Sequence, residues 1–172
     1  ITRMEQPLGC AIGNSLEVIE SIQCLKGEGP EDLTELSCQL AAQMLVLGGL
    51  STDLTEAALR ARSVIADGSA LDAFRDMVGA QGGDIRMIDD YTFLPATAHS
   101  FELTATSEQT GYVAELDALS VGEAARLLGA GRMHAEEAID PSVGIVLSKK
   151  IGDAVQVGDL LARIYYNDSG KL

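Results

Sequence analysis

One stretch of the chain combines groups that rarely occur together. Gln6-Pro7-Leu8-Gly9-Cys10-Ala11-Ile12-Gly13-Asn14 is broken by a proline and two glycines, so it cannot form a regular helix. It is nevertheless apolar enough to be buried, and a buried backbone carbonyl must find a partner. Just beyond it, the line Leu16, Glu20, Cys24 runs along one side of a helix and places a carboxylate beside an apolar stripe. Carbonyl oxygens outside any ladder, together with one carboxylate on a rigid helix, suit a hard cation with oxygen ligands. A buried turn followed by a solvated Glu20 is the other arrangement compatible with the same residues.

No other constellation is self-contained. The sequence has no phosphate-binding glycine loop, no G-x-S-x-G and no H-E-x-x-H. His99 and His134 have no Cys or His at metal-binding spacing, so both are expected to be structural or on the surface. Glu136-Glu137 and Asp89-Asp90 read as solvated faces of an acidic chain. Cys10, Cys24 and Cys38 are odd in number and lack a C-x-x-C pattern, which predicts buried free thiols in a reducing compartment.

These residues are positioned by two halves of different texture. The first 83 residues read as helices. Asn14 and Glu17 have the spacing of a capping box at the first helix. Pro30 opens the second, where Leu33, Leu36, Leu40, Met44 and Leu47 recur at helical spacing. Further helices are expected over 53–66 and 70–79, with a connecting loop over 84–95. The remainder reads as short strands at 101–106, 111–116, 143–149, 154–157 and 160–166. A short helix is expected over 121–128, a loop or helical turn over 131–137, and tight turns at Gly152-Asp153 and Gly158-Asp159.

Bulk composition narrows the function. The chain has 172 residues, 47% of them hydrophobic and 22% charged, with a net charge of −14. Nucleic acid is disfavoured as a partner, because affinity for it rests on Lys and Arg at phosphates. No apolar run is long enough for a membrane span, and no basic-then-apolar leader is visible. A cytoplasmic protein that does not engage a membrane is expected. The opening Ile1 and the strand-like run trailing into Leu172 read as cut ends.

Gly144-Ile145-Val146 and the two glycine turns resemble the hammerhead strands of biotinyl and lipoyl carrier domains. The position of the carrier lysine holds Tyr165-Tyr166-Asn167-Asp168 instead, and Lys149-Lys150 lies before the first glycine turn. A non-catalytic barrel-sandwich carrier-like or binding module is therefore the alternative function.

A more extensive likeness runs through nearly the whole chain. Met4-Glu5-Gln6-Pro7-Leu8-Gly9, Ala11-Ile12-Gly13-Asn14-Ser15-Leu16-Glu17-Val18 and Leu25-Lys26-Gly27-Glu28-Gly29-Pro30-Glu31-Asp32-Leu33 come first. Ala80-Gln81-Gly82-Gly83-Asp84, Gly111-Tyr112-Val113, Leu128-Gly129-Ala130-Gly131-Arg132 and Ile139-Asp140-Pro141-Ser142-Val143-Gly144-Ile145-Val146-Leu147-Ser148-Lys149-Lys150 follow in order. Together they resemble the pyrimidine nucleoside phosphorylase and thymidine phosphorylase family. Archaeal AMP phosphorylases share the architecture and are the more distant likeness.

That resemblance implies phosphorolysis, in which phosphate and a pyrimidine nucleoside give free base and a pentose 1-phosphate. It implies an α/β fold (α+β within this stretch). Residues 1–93 would be the helical part of the large α/β domain. Residues 94–172 would be a mixed β, barrel-sandwich-like C-terminal subdomain. The family's phosphate- and base-binding residues precede the matched segment, so no catalytic or substrate-binding residue is assigned, and this stretch alone is expected to be inactive. The resemblance also implies a potassium ion held in part by Leu8, Ala11 and Glu20, and a homodimer whose contacts lie mainly in the N-terminal helical domain. The two motifs Gln6-Pro7-Leu8-Gly9 and 144–150 lean toward the broad-specificity pyrimidine enzyme.

Overall fold

The computed structural model describes every residue except Ile1, Arg3 and Met133. The reading of Ile1 as a cut end, and Met133 within the loop expected over 131–137, therefore lie outside the described residues. The chain divides into two units: Ile1–Val18 with Leu94–Leu172, and Ile19–Phe93. The opening residues join the later half because they contribute a strand to its sheet.

That strand is β1 (Ala11–Ile12). With β4 (Gly144–Leu147), β6 (Leu160–Tyr166) and β2 (His99–Thr104) it makes a four-stranded antiparallel sheet in the order β1-β4-β6-β2. A separate antiparallel pair joins β3 (Gly111–Tyr112) to β5 (Ala154–Val155). Neither sheet closes on itself. The barrel-sandwich shape expected for residues 94–172 thus takes the form of an open sheet plus a two-stranded ribbon.

Strand alternation builds the core. Ile145 sits opposite Ile164, and Leu147 opposite Ala162, so one face of the sheet is apolar. Helix α5 (Ala118–Ala125) and the wider turn that follows, Arg126–Ala130, bring Ala125 and Leu128 onto that face. Val143, 1% exposed, belongs to the same cluster, and Cys10, Ile12 and Tyr166 pack against that cluster. Asp117 caps α5 by accepting from the Ser120 N–H at 2.8 Å.

The two glycine turns have one design. The Asp153 N–H bonds the Lys150 carbonyl and the Asp159 N–H bonds the Gln156 carbonyl, each at 3.0 Å. Gly152 and Gly158 stand at the third positions with φ of 95° and 86°, as type II turns require. Each closing aspartate reaches back to the first backbone N–H, Asp153 to Lys150 at 2.7 Å and Asp159 to Gln156 at 3.1 Å.

Helix α1 (Asn14–Leu25) starts in the sheet-bearing unit and ends in the helical one. The helical unit continues with α2 (Glu31–Leu47), α3 (Leu54–Ala66) and α4 (Ser69–Ala80). The expected loop over 84–95 contains two short 3-10 turns, Ile85–Ile88 and Tyr91–Phe93. Helices α2 and α3 lie against each other. Each buries small residues one turn apart: Cys38 and Ala42 on α2, Ala57 and Ala61 on α3. The larger apolar stripe of α2 faces outward in part; Leu40, Met44 and Leu47 are 51%, 68% and 86% exposed. Small side chains allow the close approach, so they take the inner face.

The capping box also differs from expectation. The Glu17 carboxylate accepts from the Gly13 N–H at 3.0 Å, one residue earlier than the pattern predicts. Asn14 donates its side-chain amide to the Ala130 carbonyl at 2.9 Å, tying the helix start to the turn after α5. Gly13 can precede the helix because only glycine fits there. Its φ is 138°, and a Cβ would lie 2.5 Å from the Val143 carbonyl oxygen.

Candidate cation-binding loop

The glycine-punctuated segment is fastened to the sheet-bearing unit at successive residues. The Glu5 carbonyl accepts from the Ala118 N–H at 3.0 Å. The Gln6 side-chain oxygen accepts from the Ile151 N–H at 3.0 Å. The carbonyls of Pro7 and Gly9 each accept from the Lys150 ammonium at 2.6 Å. The Cys10 carbonyl accepts from the Leu147 N–H at 2.8 Å. The carbonyls of Glu5, Pro7, Gly9 and Cys10 therefore have identified partners, and one of those partners is a cation belonging to the chain itself. Gly9 has φ of 67°, which lets the backbone turn under that ammonium.

Leu8 lies between the two carbonyls held by Lys150 and is 46% exposed. Ala11 is 7% exposed on β1, the outer strand of the sheet. Its register against Val146 carries further information. The neighbouring Cys10–Leu147 pair is hydrogen-bonded, so by antiparallel alternation Ala11–Val146 is a non-hydrogen-bonded pair. The Ala11 carbonyl is thereby turned off the outer edge of the sheet, away from β4.

Glu20 belongs to the helical unit and is 6% exposed on α1. The alternative of a solvated Glu20 is thus set aside by its burial. Leu8 and Ala11 lie together in the sheet-bearing unit. All three supply hard oxygen donors, two main-chain carbonyls and a carboxylate, which is the donor chemistry of an alkali or alkaline-earth cation. Among the described residues, no group of three or more His, Cys, Asp or Glu side chains could hold a metal ion.

The other residues singled out by type have structural roles. His99 stacks on Tyr166, its cross-strand partner, with ring centroids 5.7 Å apart. His134 donates its backbone N–H to Glu137 at 3.3 Å. All three cysteines are free thiols; Cys24 and Cys38 are buried and Cys10 is half-buried. Burial pushes the Cys24 thiol above its ordinary value, partly offset by the Thr34 hydroxyl at 3.5 Å. Neither lysine of the 149–150 pair is placed as a carrier would need. Lys150 is bound by the loop carbonyls, and Lys149 bonds the Ala154 carbonyl and the Asp159 carboxylate at 2.8 and 2.9 Å. The carrier-lysine position falls on β6 itself and on Asn167, whose amide bonds Asp140 at 2.8 Å and Ser142 at 2.9 Å.

Lys150 is the partner of this loop that sequence reading missed. Its partners are more than 140 residues away in the chain. The only sequence signal is a basic pair at the end of a strand in a strongly acidic protein.

Comparison with known proteins agrees with this framework. Residues 112–172 match the pyrimidine nucleoside phosphorylase C-terminal domain family. The pyrimidine-nucleoside phosphorylase of Geobacillus stearothermophilus is 48% identical over 167 residues, covering 97% of this chain and 38% of that protein. Those of Bacillus subtilis (strain 168) and Staphylococcus haemolyticus (strain JCSC1435) are each 47% identical over the same length and coverage. The chain thus spans 38% of the length of the curated relatives it matches. Residues 112–172 thus carry the C-terminal domain of pyrimidine nucleoside phosphorylases, and nearly the whole chain is similar to part of such enzymes.

Proposed function

We propose that this chain is the C-terminal portion of a pyrimidine nucleoside phosphorylase, a pentosyltransferase of pyrimidine salvage. The observation that carries this reading is the 46–48% identity to such enzymes across 97% of the chain. In the reaction, a phosphate oxygen forms a bond to the sugar C1′ as the bond from C1′ to the pyrimidine nitrogen breaks. The base leaves with the bonding electron pair and is protonated, and pentose 1-phosphate remains. The groups that bind phosphate and base lie outside these residues on this reading. The chain contributes scaffold, and Leu8, Ala11 and Glu20 are its share of the ligands to a potassium ion. That ion would supply fixed positive charge near the phosphate. The orientation of the Ala11 carbonyl and the burial of the Glu20 carboxylate support this assignment. A homodimer in the cytoplasm completes the proposal.

The test uses the enzyme at full family length. Uridine and phosphate should yield uracil, with release abolished when phosphate is omitted; no base release from any pyrimidine nucleoside would sink the assignment. The 172-residue chain alone should release none. Glu20→Ala should raise the potassium concentration needed for half-maximal activation, and an unchanged potassium response would remove Glu20 from the ligand set.

A further inference from the structure

The Lys150 ammonium is half-buried and lies 2.6 Å from the Pro7 oxygen and 2.6 Å from the Gly9 oxygen. Both are charge-assisted hydrogen bonds, stronger than neutral ones. They fix the peptide planes on either side of the Leu8–Gly9 peptide. The loop is also held by Gln6 to the Ile151 N–H at 3.0 Å, and Cys10 to the Leu147 N–H at 2.8 Å. Residues 6, 7, 9 and 10 are therefore all anchored to the 147–151 stretch, with Leu8 between anchors and Ala11 directly after the last. The type II turn at 150–153 fixes the backbone from which the lysine reaches out, because the Asp153 carboxylate holds the Lys150 N–H at 2.7 Å.

We infer that Lys150 is a positioning residue: by clamping the Pro7 and Gly9 carbonyls, its ammonium sets the loop backbone that presents the Leu8 and Ala11 carbonyls to a monovalent cation. The inference rests on the potassium reading above and extends it to a residue of the C-terminal domain. The lysine does not ligate the ion. It occupies two oxygens of an irregular, glycine-containing loop, so that those oxygens neither rotate freely nor compete for the ion. Without the ammonium, the two carbonyls are released and the intervening peptide gains freedom that cation binding must then remove.

The experiment measures thermal unfolding of the full-length enzyme across a potassium chloride series, with choline chloride holding ionic strength constant. The readout is the potassium concentration giving half of the maximal Tm increase, with potassium activation of uridine phosphorolysis measured in parallel. Lys150→Met should raise that midpoint about tenfold, the loss expected when a charge-assisted pair of bonds no longer preorganises the site. Lys150→Arg, which keeps the charge and its donors, should stay within about threefold of the unmodified enzyme. Lys150→Gln, shorter in reach and uncharged, should behave like the methionine variant and serves if that variant does not fold. A fall in Tm that is equal at all potassium concentrations, with the midpoint within about twofold of the unmodified enzyme, would overturn the inference while leaving the potassium site standing. A midpoint raised as strongly in Lys150→Arg as in Lys150→Met would overturn it too. If the unmodified enzyme shows no potassium-dependent Tm shift and no activation, the potassium reading fails and this inference falls with it.

Discussion

Asp140 shows how a single carboxylate organises a junction of the sheet-bearing unit. It accepts from the Ser142 hydroxyl at 2.5 Å, from the Ser142 N–H at 3.0 Å and from the Asn167 amide at 2.8 Å. The Ser142 hydroxyl is the largest influence holding the Asp140 carboxyl below its ordinary value, against a desolvation that raises it. A carboxyl whose pKa is depressed on folding adds stability above its unfolded value of about 3.9, and that contribution is lost as pH falls through the lower, folded value. Asp140→Asn should therefore cost about 1–3 kcal/mol at pH 7, and the gap to the unmodified protein should narrow at about pH 3 and below. Urea midpoints at the two pH values test this; a gap independent of pH would contradict it. The thiols give a second prediction at this scale. Cys10 should react with a thiol reagent before Cys24 and Cys38, because only Cys10 is partly open. Denaturation should expose all three, and no disulfide should be found by mass.

At the scale of elements, stability should respond most where backbone meets backbone. Gly13 and Gly144 face each other where β1 runs into α1. A Cβ on Gly144 would lie 2.2 Å from the Ile12 carbonyl oxygen and 2.9 Å from Leu16 Cδ1. Gly144→Ala should destabilise by about 1–3 kcal/mol or more, the range for overpacking a close-packed site. Asp53→Ala gives a smaller, independent effect. Asp53 caps α3 by accepting from the Glu56 N–H at 2.8 Å, and losing the cap should cost about 1 kcal/mol. Denaturant unfolding of the two variants should rank them in that order; equal effects would contradict the packing argument. Most elements were legible beforehand. The helical stripes, the Pro30 start and the two glycine turns are local signals, and each element forms near its expected place. β1 was not legible, because two residues carry no period and its pairing with β4 spans most of the chain. Exposure of Leu40, Met44 and Leu47 was not legible either, since periodicity marks a stripe and not which stripe is covered.

Two surface properties emerge at the scale of the whole molecule. With a net charge of −14 and a pI near 4.3, the chain should bind anion exchangers, lose solubility near its pI, and show no affinity for duplex DNA at physiological salt. The helical unit also carries exposed Leu40, Met44, Leu47, Leu50, Leu54 and Leu59. Beside them, a groove of about 590 Å³ is lined by Ala41, Met44, Val64 and Ile65. An apolar surface of this kind should bind a dye such as ANS in the native state at neutral pH. No fluorescence increase until the chain is unfolded would show that surface to be covered in solution. No described helix is long and apolar enough to cross a membrane.

The sequence alone determined the likeness to pyrimidine nucleoside phosphorylases, the helical and strand-rich halves and the turn chemistry. Each of these depends on residue type, on local spacing or on ordered motifs, which survive without coordinates. Only the tertiary structure decided where the loop carbonyls find their partners. It joined residues 1–18 to 94–172, turned the Ala11 carbonyl off the sheet edge and brought Lys150 to Pro7 and Gly9. The physical reason is range. A carbonyl in an irregular segment has no partner at a fixed offset, so its hydrogen bond is assigned by whatever the fold carries to it from far along the chain.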